Sequence, residues 1–153
     1  MCSSDLIAIE ARGKRVAEAN RQAHARDREL AALGWDSSPI STSRLFAELY
    51  AQIKNEDWSL VGNDRFASSW PTRLWKFDKH YQYIGAQGGA GIGYNMPAAT
   101  GAALANKEHG RITVSLNGDG DLLMQPGTLW TAAHHQIPIL YVVHNNQIGR
   151  AHV

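Results

Sequence analysis

The chain has 153 residues, 44% of them hydrophobic, which is enough for one respectable core and leaves no length for a second complete domain. Its 15 Lys and Arg are interspersed with 14 Asp and Glu, so the net charge of +1 offers no basic footprint to nucleic acid or to an anionic membrane. No run approaches the roughly 18 to 20 uninterrupted apolar residues of a spanning helix, no signal series opens the chain, and a single cysteine cannot form an internal disulfide; a soluble cytoplasmic protein is the expectation.

In chain order, residues 1–6 (MCSSDL) and 148–153 (IGRAHV) are set aside first. Each looks like a translated sequencing-adapter fragment, the two being reverse complements with the opening methionine read from a GTG codon. Residues 7–40 read as a helical interdomain linker. Ile7 to Leu33 is rich in Ala, Arg and Glu, is closed by Gly34, and is mostly solvated, with Glu10, Glu18, Asp27 and Glu29 threaded among its bases. Trp35 to Ile40 carries a Ser-Ser-Pro turn signal. A truncated domain is expected over residues 41–147. It opens with SRLFAELYAQI, where Leu45, Phe46, Leu49, Tyr50 and Ile53 recur at helical spacing behind candidate caps Ser41, Thr42 and Ser43.

Apolar runs then alternate with helical ones. Trp58 to Val61 leads into Gly62-Asn63-Asp64, Ile112 to Leu116 into Asn117-Gly118-Asp119-Gly120-Asp121, and Ile139 to Val143 into His144-Asn145-Asn146. Between them lie a glycine-rich turn running into a small-residue helix from Pro97 to Asn106, and a helix from about Pro126 to His135. Each has proline near its first turn, where the missing N–H costs little. This βαβαβ series predicts an α/β fold, a doubly wound parallel sheet preceded by the helical linker. All three polar turns fall at carboxyl ends of strands, where open α/β sheets bind their ligands. Trp58, Trp75 and Trp130 read as packing residues, His134, His135 and His144 as helix-end or strand-end residues, and Arg73, Lys76 and Lys79 as solvated.

Asp119 and Asn146 stand at consecutive strand ends. Mg²⁺ demands near-octahedral oxygen ligation and retains waters or phosphate oxygens, so a protein supplies only two or three ligands. Asp119 brings charge and Asn146 a neutral oxygen, while Gly118 and Gly120 let backbone approach a phosphate closely. Gln125 and Pro126 are expected to open a helix whose N–H groups face the anion, an interaction worth about 0.3–1 kcal/mol, so the cation does most of the neutralising. A calcium loop would need Gly at Leu122 and Glu at Thr128. A dinucleotide fingerprint would need a strand before GGAGIG and an acid at a strand end about 20 residues on, and the sequence shows neither. Ordinary turn chemistry accounts for Gly-Asp-Gly or Asn-Asn singly, but less well for both at this spacing.

GGAGIGYNMPAATGAALANK and GRITVSLNGDGDLLMQPGTLWTAAHHQIPILYVVHNN carry a resemblance that spans about residues 40 to 147. They resemble the diphosphate-binding domain of thiamine-diphosphate-dependent enzymes of the acetolactate synthase, benzoylformate decarboxylase and pyruvate decarboxylase group. The resemblance implies thiamine diphosphate and Mg²⁺ as cofactors. It also implies metal ligation by Asp119, the Asn146 side chain and the main-chain carbonyl of Ile148, with Gly118, Gly120 and Asp121 lining the diphosphate through backbone groups. Ala90 matches the position whose carbonyl accepts a hydrogen bond from the aminopyrimidine, Ile92 the apolar wedge that bends the cofactor, and Asn63 a polar position reaching the diphosphate. Asp121 stands where the family has a small neutral residue, and a second carboxylate repels the diphosphate unless it points away or binds backbone N–H groups. Asp64 poses a similar question.

The chemistry so implied is decarboxylation of a 2-oxo acid, followed by protonation or carboligation. The activating glutamate is expected on a pyrimidine-binding domain of the same or a partner chain, in a homodimer or homotetramer when full length. No part of these 153 residues matches that domain, so the fragment is expected to be inactive alone. Two other readings stay open: a noncatalytic phosphate or Mg²⁺ binding module, and the small subunit of a two-chain decarboxylase or oxidoreductase.

Overall fold

The computed structural model describes residues 3–62, 69–85 and 93–145. Helix α1 (Ser3–Ala32) ends before Gly34, whose φ of +70° is the left-handed conformation that glycine adopts without strain. Most of its length is exposed, and no helix among the described residues is long and apolar enough to cross a membrane. Helix α2 (Thr42–Ile53) is capped by Ser41, whose Oγ accepts the Arg44 N–H at 3.3 Å. Phe46 and Ile53 on its inner face are buried, as the spacing requires.

Four parallel strands follow, β1 (Trp58–Gly62), β2 (Tyr83–Gly85), β3 (Ile112–Gly118) and β4 (Ile139–His144), in the spatial order β2-β1-β3-β4. Three of them coincide with the apolar runs of the sequence. β2 was not foreseen, and neither was the short helix α3 (Trp70–Leu74). Helices α4 (Asn95–Asn106), α5 (Asp119–Met124) and α6 (Gly127–His134) complete the domain.

Strand alternation sorts the core into two layers. Trp58, Leu60, Val114 and Leu116 face Phe46 and Ile53 of α2 and the buried Trp75. Trp75 stands edge-on to Trp58 at 5.4 Å between ring centroids, and its Nε1–H donates to the Phe46 carbonyl at 2.9 Å. Trp130, by contrast, is 64% exposed on α6, so the packing role expected of it does not hold among the described residues. On the opposite face Ser59 and Thr113 are buried under α4, where Asn106 Nδ2 donates to both hydroxyls, at 3.2 and 2.9 Å. Small residues there, Ala99 and Ala103, let the helix lie close to the sheet.

The amino ends of the strands are tied by a polar latch. Asp57, just before β1, accepts the Tyr81 hydroxyl at 2.7 Å and Arg111 Nε at 3.1 Å. Arg111 also lies over the Tyr81 ring, 3.5 Å from its centroid. The Tyr81 hydrogen bond holds the Asp57 carboxyl below the usual carboxylate range against the opposing effect of burial, which ranks next, with lesser help from Arg111 and Lys79.

Candidate cofactor site

The carboxyl ends of β3 and β4 lie side by side. Their register pairs Asn117 with Val143 and Gly118 with His144. Neighbouring strands sit about 4.8 Å apart, so the residues that leave these two ends start from adjacent points. β1 ends alongside them, with Gly62 opposite Leu116. Gly62 has φ +142°, and a Cβ there would stand 2.4 Å from the Leu116 carbonyl oxygen, so no other residue fits between the two strands.

Asp119 is the first residue of α5, and Gly118 is its extended N-cap. The Asn117-to-Asp121 segment is therefore a strand running directly into a helix rather than the free-standing turn that its glycines suggest. Gln125 and Pro126 open a helix as expected: Pro126 is the N-cap of α6, which starts at Gly127, and the Gln125 carbonyl accepts the Thr128 N–H at 3.1 Å, while Gln125 is also the C-cap of α5. The N–H groups nearest the strand end belong to α5.

The two carboxylates of this segment have opposite fates. Asp121 is 1% exposed. Its Oδ1 accepts the Gly93 N–H at 3.0 Å, and its Oδ2 accepts the Gly118 N–H at 3.3 Å. The charge that looked repulsive is directed into backbone donors, joining the α5 start to the segment that enters α4. Gly93 has φ +84°, and a Cβ on it would come within 3.1 Å of the Gln125 side chain, so this junction also requires glycine. Asp119 is only half-buried, and its carboxylate has no hydrogen-bond or ion-pair partner among the described residues.

Two more oxygens converge on this end of the sheet. Asn117 is 4% exposed, and its Nδ2 donates to Ser115 Oγ at 2.9 Å. Asn95 opens α4 and is equally buried. The Oδ1 atom of each lacks a donor among the described residues. Buried acceptors are normally satisfied, so a ligand or its hydration shell would complete both. Sequence reasoning passed over Asn95 and Asn117; their only signal was a carboxamide at a position where the surrounding pattern is apolar or small.

Of the expected site residues, Gly118, Asp119, Gly120 and Asp121 are brought together at this strand end. Asn63, Asp64, Ala90, Ile92, Asn146 and Ile148 lie outside the described residues. The glycine-rich stretch does follow a strand, since β2 ends at Gly85. That ground for setting aside a dinucleotide fingerprint is withdrawn. The other ground stands, because the first acid after the stretch to close a strand is Asp119, on a segment that enters α5.

The chain matches the family model described as the thiamine pyrophosphate enzyme, C-terminal TPP binding domain, over residues 66–150, more than half of its length. It is 33% identical over 78 residues to acetolactate synthase 2, chloroplastic, of Brassica napus, and 35% identical over 78 residues to a probable acetolactate synthase 2, chloroplastic, of Oryza sativa subsp. japonica. In both cases the match covers 51% of this chain and 12% of the relative. The acetolactate synthase isozyme 1 large subunit of Escherichia coli (strain K12) is 31% identical over 84 residues, covering 54% of this chain and 15% of that protein. The chain thus spans a small part of the length of these relatives.

Proposed function

This chain belongs to the family of thiamine pyrophosphate enzymes as their C-terminal TPP binding domain, and from that premise we propose that it forms the Mg²⁺ and diphosphate half of the active site of a 2-oxo-acid decarboxylase or carboligase of acetolactate synthase type. Asp119 and the Asn146 side chain hold the cation, with the Ile148 carbonyl as the third protein ligand. Gly118, Gly120 and the Asp121 backbone line the diphosphate, and Asn63 reaches it from the end of β1. The Ala90 carbonyl receives the aminopyrimidine and Ile92 supports the bend of the cofactor. When bound, thiamine diphosphate supplies the nucleophilic carbon and the electron sink that decarboxylation needs.

The observation that carries this reading is the unequal treatment of two carboxylates two positions apart. Asp121 is consumed by the Gly93 and Gly118 amides, whereas Asp119 is left half-buried and unpaired among the described residues, beside the end of β4. A lone carboxylate in that position matches the small ligand count of a Mg²⁺ site whose remaining positions go to water and phosphate oxygens. The orphaned Oδ1 atoms of Asn95 and Asn117 fit the same hydrated surroundings. The protein's own tasks are to neutralise the diphosphate through the ion, to orient it, and to keep a second negative charge away from it. The pyrimidine-binding domain, with its activating glutamate, comes from elsewhere in the same or a partner chain, in a dimeric or tetrameric cytoplasmic enzyme.

Calorimetric titration of thiamine diphosphate into this chain tests the proposal. Binding should require Mg²⁺ and should weaken by about tenfold or more in Asp119→Ala, the loss of one charge-assisted contact or more. Equal affinity in wild type and variant, or indifference to Mg²⁺, would overturn it.

A further inference from the structure

Away from the sheet ends, a cavity of about 380 Å³ lies between the C-terminal half of α1 and the end of α3, lined by Arg21, His24, Arg28, Leu74, Trp75 and Lys76. Arg21, His24 and Arg28 are spaced three and four residues apart, so they share one stripe of the helix; His24 is half-buried against the domain, and the two arginines flank it at the exposed rim of the cavity. No acidic residue lines the cavity. The nearby acids are committed: Glu18 pairs with Arg21, Asp78 with Lys76 at 3.1 Å, and Asp27 with Arg73 at 2.6 Å. Arg28 has no ion-pair partner among the described residues.

The walls are held in place independently of any ligand. Asp27 accepts both Nε and one terminal nitrogen of Arg73, whose guanidinium lies over Trp70 at 4.0 Å. His24 Nδ1 is 2.8 Å from the Arg73 carbonyl. A carbonyl only accepts, so Nδ1 carries the proton and Nε2 is left as an acceptor, able to receive the P–OH of a phosphate monoanion. The floor is apolar, built by Leu74 and the fully buried Trp75.

We infer that this cavity is an anion site, separate from the cofactor site, that takes a phosphate group, free or as the monoester of a compact organic molecule. A phosphate group offers its oxygens to the Arg28 guanidinium, a fork that binds such groups in bidentate fashion. The volume lies in the range of small-molecule sites, and the apolar floor suits the organic part of an ester. Binding there ties α1 more firmly to the domain.

The test uses the whole chain in Mg²⁺-free buffer, titrated calorimetrically with inorganic phosphate in one arm and adenosine monophosphate in the other. Saturable binding is expected in at least one arm, weakened about tenfold or more by Arg28→Gln and unchanged by Asp119→Ala, since one charge-assisted hydrogen bond is removed only in the first variant. Tighter binding of the nucleotide assigns the ester, and equal affinity assigns the free ion. Absence of saturation in both arms, or binding indifferent to Arg28→Gln while circular dichroism shows that variant folded, overturns the inference. Loss of phosphate binding in Asp119→Ala would move the ion to the cofactor site and overturn it equally.

Discussion

At the scale of single residues, two aspartates separated by one glycine do different work. Asp121 is structural: it accepts two backbone N–H groups, those of Gly93 and Gly118, and it is buried while doing so. Orphaning a buried donor costs about 1–3 kcal/mol, so Asp121→Ala is expected to lose at least about 2 kcal/mol in urea-induced unfolding. An unfolding midpoint equal to wild type would show that the carboxylate is dispensable. Asp119, by contrast, has no structural contact among the described residues to lose, and Asp119→Ala should keep wild-type stability while losing the ion. The sequence shows both acids and both glycines, and the family resemblance raised the question of a second charge beside a diphosphate. It could not supply the answer, because the donor that resolves it, Gly93, comes from a segment 28 positions earlier in the chain.

At the scale of elements, legibility tracked length and burial. Helix α2 and strands β1, β3 and β4 were readable because long apolar patterns record the face they bury. β2 has three residues and α3 has five, both half-exposed for the most part, so neither contains enough pattern to distinguish it from a loop. Helix α5 was hidden by the glycines that flank its first residue. The amino-end latch was invisible for another reason: it joins Asp57, Lys79, Tyr81 and Arg111 from three connections. Its contribution depends on pH in a definite sense. The folded-state carboxyl of Asp57 titrates below its unfolded value of about 3.9. The latch is therefore fully present above that value and is lost as pH falls through the folded one. Asp57→Asn is expected to be less stable than wild type at pH 7, with the difference shrinking as pH is lowered below about 4. A difference in thermal midpoint that stays constant from pH 7 to pH 3 would contradict this.

At the scale of the whole molecule, the domain is organised as two ends of one parallel sheet. The amino ends are closed by the Asp57 latch, and the carboxyl ends present the glycines, the Asp119 carboxylate and the Oδ1 atoms of Asn95 and Asn117, all three without a partner among the described residues. α4 connects them, running from Asn95 at the cofactor end to Asn106 over Ser59 and Thr113 near the other. The central claim is that the ends of β3 and β4 share one divalent ion. Its most direct test replaces Mg²⁺ with paramagnetic Mn²⁺ and follows the backbone amide resonances of the isotopically labelled chain in the presence of thiamine diphosphate. The amides of Gly118 to Asp121 and those of His144 and Asn145 should broaden together, while Asp57 and Arg111 at the far end remain sharp. Broadening at one of these strand ends without the other, or centred elsewhere, would contradict the shared site.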